Sequence, residues 1–191
     1  KPAMASMRRT PAATADSAFS VVADLAREEP ADWRTTPAPE VARPTDEVIY
    51  EVHVRDFSVA DPSCPPELRG TYLGLAQPGG ERPARSGLAH LKDLGVTAVH
   101  LLPVHDFTAK PDEYNWGYWT ALFNVPESNY ASDTSDALQP ARELKQAIAT
   151  LHENGIRVVM DVVYNHTSST GEHSPFDQTV PGYFFRTAPD G

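Results

Sequence analysis

The chain has 191 residues, 40% of them apolar and 22% charged, so it can bury a core and is not a disordered tail. Sixteen Lys and Arg stand against 26 Asp and Glu, a formal charge of -10, and no basic run exceeds Arg8-Arg9, which argues against a nucleic-acid partner. No apolar stretch approaches the roughly 20 residues of a membrane span, and the N-terminal residues lack a signal peptide's apolar core; a lone Cys64 rules out an internal disulfide and leaves the compartment, secreted or cytoplasmic, open.

Eighteen prolines against 11 glycines predict long irregular connections, concentrated before Asp46 and around Cys64-Pro65-Pro66. Residues 1–45 contain one strand-like run, residues 19–25, and read as the end of a preceding module followed by a linker. From Asp46 onward, short β-branched runs alternate with helical segments, the pattern of βα units around a parallel sheet. The first run, residues 48–55, puts Val48, Tyr50, Val52 and Val54 on one face and Glu51, His53 and Arg55 on the other. A helix over residues 86–94 stops at Gly95, and a nearly continuous apolar strand follows over residues 96–102. A second helix begins near Pro140, repeats Leu144, Ile148 and Leu151 at helical spacing, and closes at Gly155 before a third strand over residues 156–163. No strand is visible after His166. A free parallel edge is normally covered, so its expected neighbour lies in sequence beyond Gly191.

In parallel α/β folds ligands meet the carboxyl ends of strands, which singles out Arg55-Asp56, His105-Asp106 and Asn165-His166. His53, His90, His100 and His152 read as satisfied structural histidines. The connection after the second strand carries Tyr114-Asn115-Trp116-Gly117-Tyr118-Trp119. Such a cluster is either a satellite core under a long loop or a platform on which sugar rings stack, and spacing does not choose between them.

Four segments together resemble the type I pullulanases, debranching enzymes of the α-amylase family. They are residues 48–58, Tyr114-Asn115-Trp116-Gly117-Tyr118, Phe123-Asn124-Val125-Pro126-Glu127 with Tyr130, and residues 159–167, which include Asp161-Val162-Val163-Tyr164-Asn165-His166. The resemblance runs from about Phe19 to Gly191 and implies a (β/α)₈ barrel that hydrolyses α-1,6 branch links in pullulan, starch or glycogen with retention of configuration. A complete barrel of that kind usually takes about 250 residues, so residues 46–191 would be its first three βα units and residues 1–45 the end of a preceding β-sandwich module. By the same likeness His166 would bond hydroxyls of the sugar at the cleavage site, with Tyr118 stacked beneath it. Trp116 and Tyr114 would line neighbouring sugars beside Asn115. Asp161, Asn165 and His105 would support the strand ends, and Asn165 is the candidate contact for a calcium ion. No organic cofactor is implied, and the partners would be the α-glucan and the rest of the barrel.

Retaining hydrolysis needs a carboxylate nucleophile and a carboxylic acid roughly 5 to 5.5 Å apart. In the family these lie on the fourth and fifth strands, and no Asp or Glu of this sequence fits their motifs. The chain taken alone is therefore expected to lack a catalytic residue and to be inactive. A non-catalytic module that binds glucan or a partner remains the alternative, resting on the aromatic loop and the missing carboxylates. A barrel enzyme for phosphorylated substrates would want a glycine-rich loop before a helix, and none is present.

Overall fold

A computed structural model describes residues 21–31, 33–80, 85–108 and 114–189. In chain order its strands and α-helices are β1 (Ile49–Val52), α1 (Val54–Ser58), α2 (Tyr72–Leu75), α3 (Gly87–Asp93), β2 (Ala98–Leu101), β3 (His105–Phe107), β4 (Thr120–Pro126), α4 (Gln139–Glu153), β5 (Arg157–Met160) and α5 (Pro175–Thr179). The strands β1, β2 and β5 form a parallel sheet with β2 in the centre, Tyr50 opposite Val99 and Val99 opposite Val158. On one face Val52, Val99 and Leu101 pack into a core with Leu88 and Leu91 of α3 and Leu144, Ala147 and Leu151 of α4. The other face carries Ile49, Glu51, His100 and Val159 and is largely exposed. This is α/β architecture with an open three-stranded sheet; among the described residues it does not close into a barrel.

All three parallel strands are shorter than the apolar pattern suggests, and for the first and third the bonds made just beyond the strand supply the cause. The run expected to stay extended to Arg55 leaves the sheet after Val52, because His53 caps a helix: its Nδ1 accepts the Asp56 N–H at 3.3 Å. The third strand ends at Met160, and the residues beyond it turn toward β4, where Ser168 N–H and the Thr167 hydroxyl both donate to the Thr120 carbonyl. The run expected as a strand over residues 19–25 is not one where it is described. Residues 21–24 are irregular, Leu25 enters a turn, and Val22 stands fully in solvent; Phe19 and Ser20 lie outside the described residues. The segment after this run lies along α4, where Arg142 bonds Glu28 and Lys145 sits 3.6 Å from Glu29 and over the Trp33 ring.

The connection between β2 and α4 holds structure that the sequence pattern does not announce. Strands β3 and β4 pair antiparallel, with an irregular register at Asp106 and a left-handed backbone at Asn124 (φ 62°), a conformation that Asn tolerates. Buried carboxyl groups brace this ribbon and the turn that follows it. Glu143 of α4 accepts the Ser132 N–H and hydroxyl, and Glu127 accepts the N–H groups of Phe107 at 3.1 Å and Asn129 at 2.8 Å.

Burial, with the charge of Asp106 adding to it, pushes the Glu127 carboxyl up to about 8 from 4.5. The folded protein thus keeps a proton that the unfolded chain releases near pH 4.5, so raising the pH from 4.5 to 8 favours unfolding, and the effect levels off above that window. Denaturant titrations across this range are expected to show stability falling with pH in the wild type. A flatter profile is expected in Glu127→Gln, and an unchanged slope would show that another group carries the effect.

Candidate functional site

The sugar-platform candidates come from two places, the β3–β4 loop and the chain that follows β5. Gly117 sets the path of the loop. It adopts φ 88°, and a Cβ there would lie 2.6 Å from the Pro103 carbonyl oxygen, so only glycine fits a turn pressed against the end of the second strand run. The Asn115 side chain serves the same turn, accepting the Gly117 N–H at 2.8 Å and donating to the Thr108 carbonyl at 3.1 Å. Asn115, expected among the substrate-binding residues, therefore has its amide engaged by the loop itself.

Beyond Gly117 the chain meets the third strand end. The Tyr118 hydroxyl donates to Asp161 Oδ2 at 2.7 Å, and the Tyr118 main-chain oxygen lies 2.8 Å from His166 Nε2. Asn165 Nδ2 lies 3.0 Å from His166 Nδ1, and the Trp119 ring tilts against the same imidazole at 5.0 Å. The Asp161 backbone N–H is in turn held by the Leu101 carbonyl, and His100 Nε2 stands 4.0 Å from its carboxylate. Tyr118, Asp161, Asn165 and His166 are thus brought together as the sequence suggests. The bond to Asp161, with partial burial, pushes the Tyr118 hydroxyl up to about 12.

Tyr114 and Trp116 face a different element. The Tyr114 hydroxyl donates to Asp56 Oδ2 at 2.8 Å and its ring stacks on His53 at 5.1 Å; burial and the Asp56 carboxylate push that hydroxyl up to about 12 as well. With Glu51, Asp56 and the 61% exposed Trp116 they bound a hollow of about 390 Å³ at the carboxyl end of β1. A second hollow, of about 470 Å³, opens on the other side, where Asn165 and His166 meet Phe123, Tyr164, Phe176 and Phe184. Tyr118 belongs to the lining of neither; it stands at the seam, tied to both sides by main chain and hydroxyl. His105 is elsewhere. It is 5% exposed inside the ribbon, edge-on to Phe123, with no hydrogen-bond partner for Nδ1 among the described residues and its pKa lowered by burial. It supports the ribbon and does not reach the rim. Asp56 and Trp119 stand where the strand-end and aromatic-loop readings put them, whereas sequence reasoning missed the aromatic residues around α5; the run Tyr183-Phe184-Phe185 was the available signal.

A model of the α-amylase catalytic domain matches residues 84–187, more than half of the chain. The chain belongs to the α-amylase family. It is 48% identical over 159 residues to the pullulanase of Bacillus subtilis (strain 168), covering 80% of this chain and 22% of that one. Over 167 residues it is 37% identical to the glycogen debranching enzyme of Yersinia pseudotuberculosis, covering 84% of this chain and 24% of that one. The crystal structure of pullulanase from Paenibacillus barengoltzii, in complex with maltohexaose and alpha-cyclodextrin, aligns with a TM-score of 0.80 at 39% identity, over 95% of this chain and 29% of that one. The chain thus spans about a quarter of the length of these relatives, and its sheet corresponds to part of the α-amylase family's (β/α)₈ barrel. Active sites in such barrels sit at the carboxyl ends of the strands, where Asp56, Asp161 and His166 lie here.

Calcium takes six to eight oxygen ligands, typically including carboxylates. Among the described residues no three His, Cys, Asp or Glu side chains gather to hold a metal, and Asn165 has its amide turned to His166. The described residues gather no such cluster of carboxylates, and no step of the chemistry is assigned to a calcium ion. No helix among the described residues is long and apolar enough to cross a membrane.

If Asp161 is what raises the Tyr118 hydroxyl, Asp161→Asn is expected to bring its ionisation down from about 12 toward the ordinary 10.0. Alkaline difference absorbance, with Tyr118→Phe subtracted to isolate this tyrosine from the other six, reads the change; an unmoved transition would remove Asp161 from that role.

Proposed function

We propose that this chain is the N-terminal part of the catalytic barrel of a retaining α-1,6-glucosidase acting on branch links in pullulan, starch or glycogen, and that it supplies the sugar-binding rim while the acid and nucleophile lie on polypeptide outside it. The observation that carries the proposal is the junction of Tyr118 with Asp161 and His166, which joins an aromatic loop to a strand end where barrel enzymes do their chemistry. The pullulanase and debranching enzyme named above support the substrate class.

In this reading the Tyr118 ring, fixed by its hydroxyl, offers a face to the sugar whose bond is cut, and Trp116 and Tyr114 offer faces to a neighbour. Sugar rings stack on aromatic surfaces through their apolar C–H faces, while their hydroxyls take hydrogen bonds at the edges. Both ring nitrogens of His166 already face protein atoms, so a sugar hydroxyl bonds the imidazole by replacing the Asn165 amide at Nδ1. Such a bond strengthens as the oxocarbenium-like transition state forms, which places the His166 contribution in the rate. The strands that complete the barrel would pair with the exposed edge of β5 and cover Val159 and Met160. Residues 1–45 would carry the end of the preceding module.

The isolated 191-residue chain is expected to release no reducing sugar from pullulan, and the polypeptide extended through the remaining βα units to release it. Turnover by the isolated chain would refute the placement of the carboxylates elsewhere. A full-length protein that binds pullulan tightly and never cleaves it would favour a binding module. In the active, extended enzyme His166→Ala is expected to lower kcat about 100-fold or more with KM changed far less, since the interaction belongs to the transition state; losses confined to KM would count against it.

A further inference from the structure

The hollow beside β1 takes its shape from a residue that the sequence reads as a satisfied structural histidine. His53 is 5% exposed, and its Nδ1 accepts the Asp56 N–H that begins α1. A ring nitrogen that accepts carries no proton, so the proton sits on Nε2. That Nε2 lies 3.0 Å from the main-chain oxygen of Asn115, to which it donates, and 3.2 Å from the Tyr130 hydroxyl. The face of the same ring stacks on Tyr114 at 5.1 Å and 28°. One imidazole therefore grips two successive loop residues, one by its ring and one by its carbonyl, and the next residue is Trp116.

Helix capping alone does not call for this residue type. Asn, Asp, Ser and Thr cap at least as well, and none of them reaches from the cap to a second chain segment. The geometry points to His53 as a positioning residue for glucan binding: it holds Tyr114 and Asn115 so that the exposed Trp116 face stays turned to the hollow. This role rests on the glucan reading above. Its chemistry is that of an α-linked glucose ring laid on the indole, with the carboxylates of Glu51 and Asp56 at the margin to accept hydroxyl hydrogens.

His53→Asn separates the two jobs. The Asn side chain can still accept the Asp56 N–H, and it loses the reach to Asn115. Some fall in melting temperature is expected from the smaller side chain, so the decisive readouts lie elsewhere. In the complete protein, maltohexaose binding measured by calorimetry is expected to weaken about tenfold, or about 1.4 kcal/mol. Amide hydrogen exchange at Trp116 and Gly117 is expected to accelerate more than exchange in α4, with or without glucan. The double variant with Trp116→Ala is expected to bind no worse than Trp116→Ala alone, because both changes remove one surface. Exchange that rises no more at the loop than in α4, or losses that add in the double variant, would overturn the role of His53. Wild-type protein that ignores maltohexaose, while loop exchange still rises in His53→Asn, would instead overturn the glucan reading and leave His53 holding the loop.

Discussion

The candidate site depends on one hydrogen bond, the Tyr118 hydroxyl donated to the Asp161 carboxylate at 2.7 Å. A connection as long as that between β2 and α4 loses conformational entropy of about 1–2 kcal/mol for every residue it orders. Charge-assisted bonds are about twice as strong as neutral ones, and this bond stands with the contact of His166 to the Tyr118 carbonyl and the two donations to Thr120. Together they sew the loop to the chain that leaves the third strand. Each tie is modest; because they meet at one seam, the rings of Tyr118 and Trp119 and the imidazole of His166 hold fixed relations to one another.

Buried acids do similar work further back. Glu127 and Glu143 are each 1% exposed; Glu127 receives the backbone N–H groups of Phe107, at the irregular end of β3, and of Asn129, and Glu143 receives that of Ser132. Orphaned buried N–H groups are costly, so a carboxyl group that accepts two of them stabilises a bend as a ladder would stabilise a strand. For Glu127 the accompanying desolvation is met by keeping its proton.

Much of the framework was legible from residue order. The helix stops at Gly95 and Gly155, the central strand and the long helix with its Leu144 and Leu151 stripe all follow from period and punctuation, because those signals are local. Strand ends were not, since the cap at His53 depends on a donor in the following turn and the departure after Met160 on an acceptor, the Thr120 carbonyl, far away along the chain. The β3–β4 ribbon escaped notice for a related reason: its short strands, an Asn in left-handed backbone and an irregular register leave little alternation to read. In the site, the grouping of Tyr118, Asp161, Asn165 and His166 was legible through likeness to a known pattern. The engagement of Asn115 by its own loop, the retreat of His105 into the ribbon, and the double grip of His53 were not, because residue type does not say which partner claims a side chain.

Gly117 rests on Pro103 with no space for even a methyl group, so the main chain there has a single available course. A platform built on such a footing cannot be retuned by bending its backbone. Change in which sugars it favours must come through the outward rings on either side, Trp116 and Trp119, whose replacement leaves the footing untouched. Variation in a set of homologous loops should accordingly concentrate at those two places and spare the glycine between them.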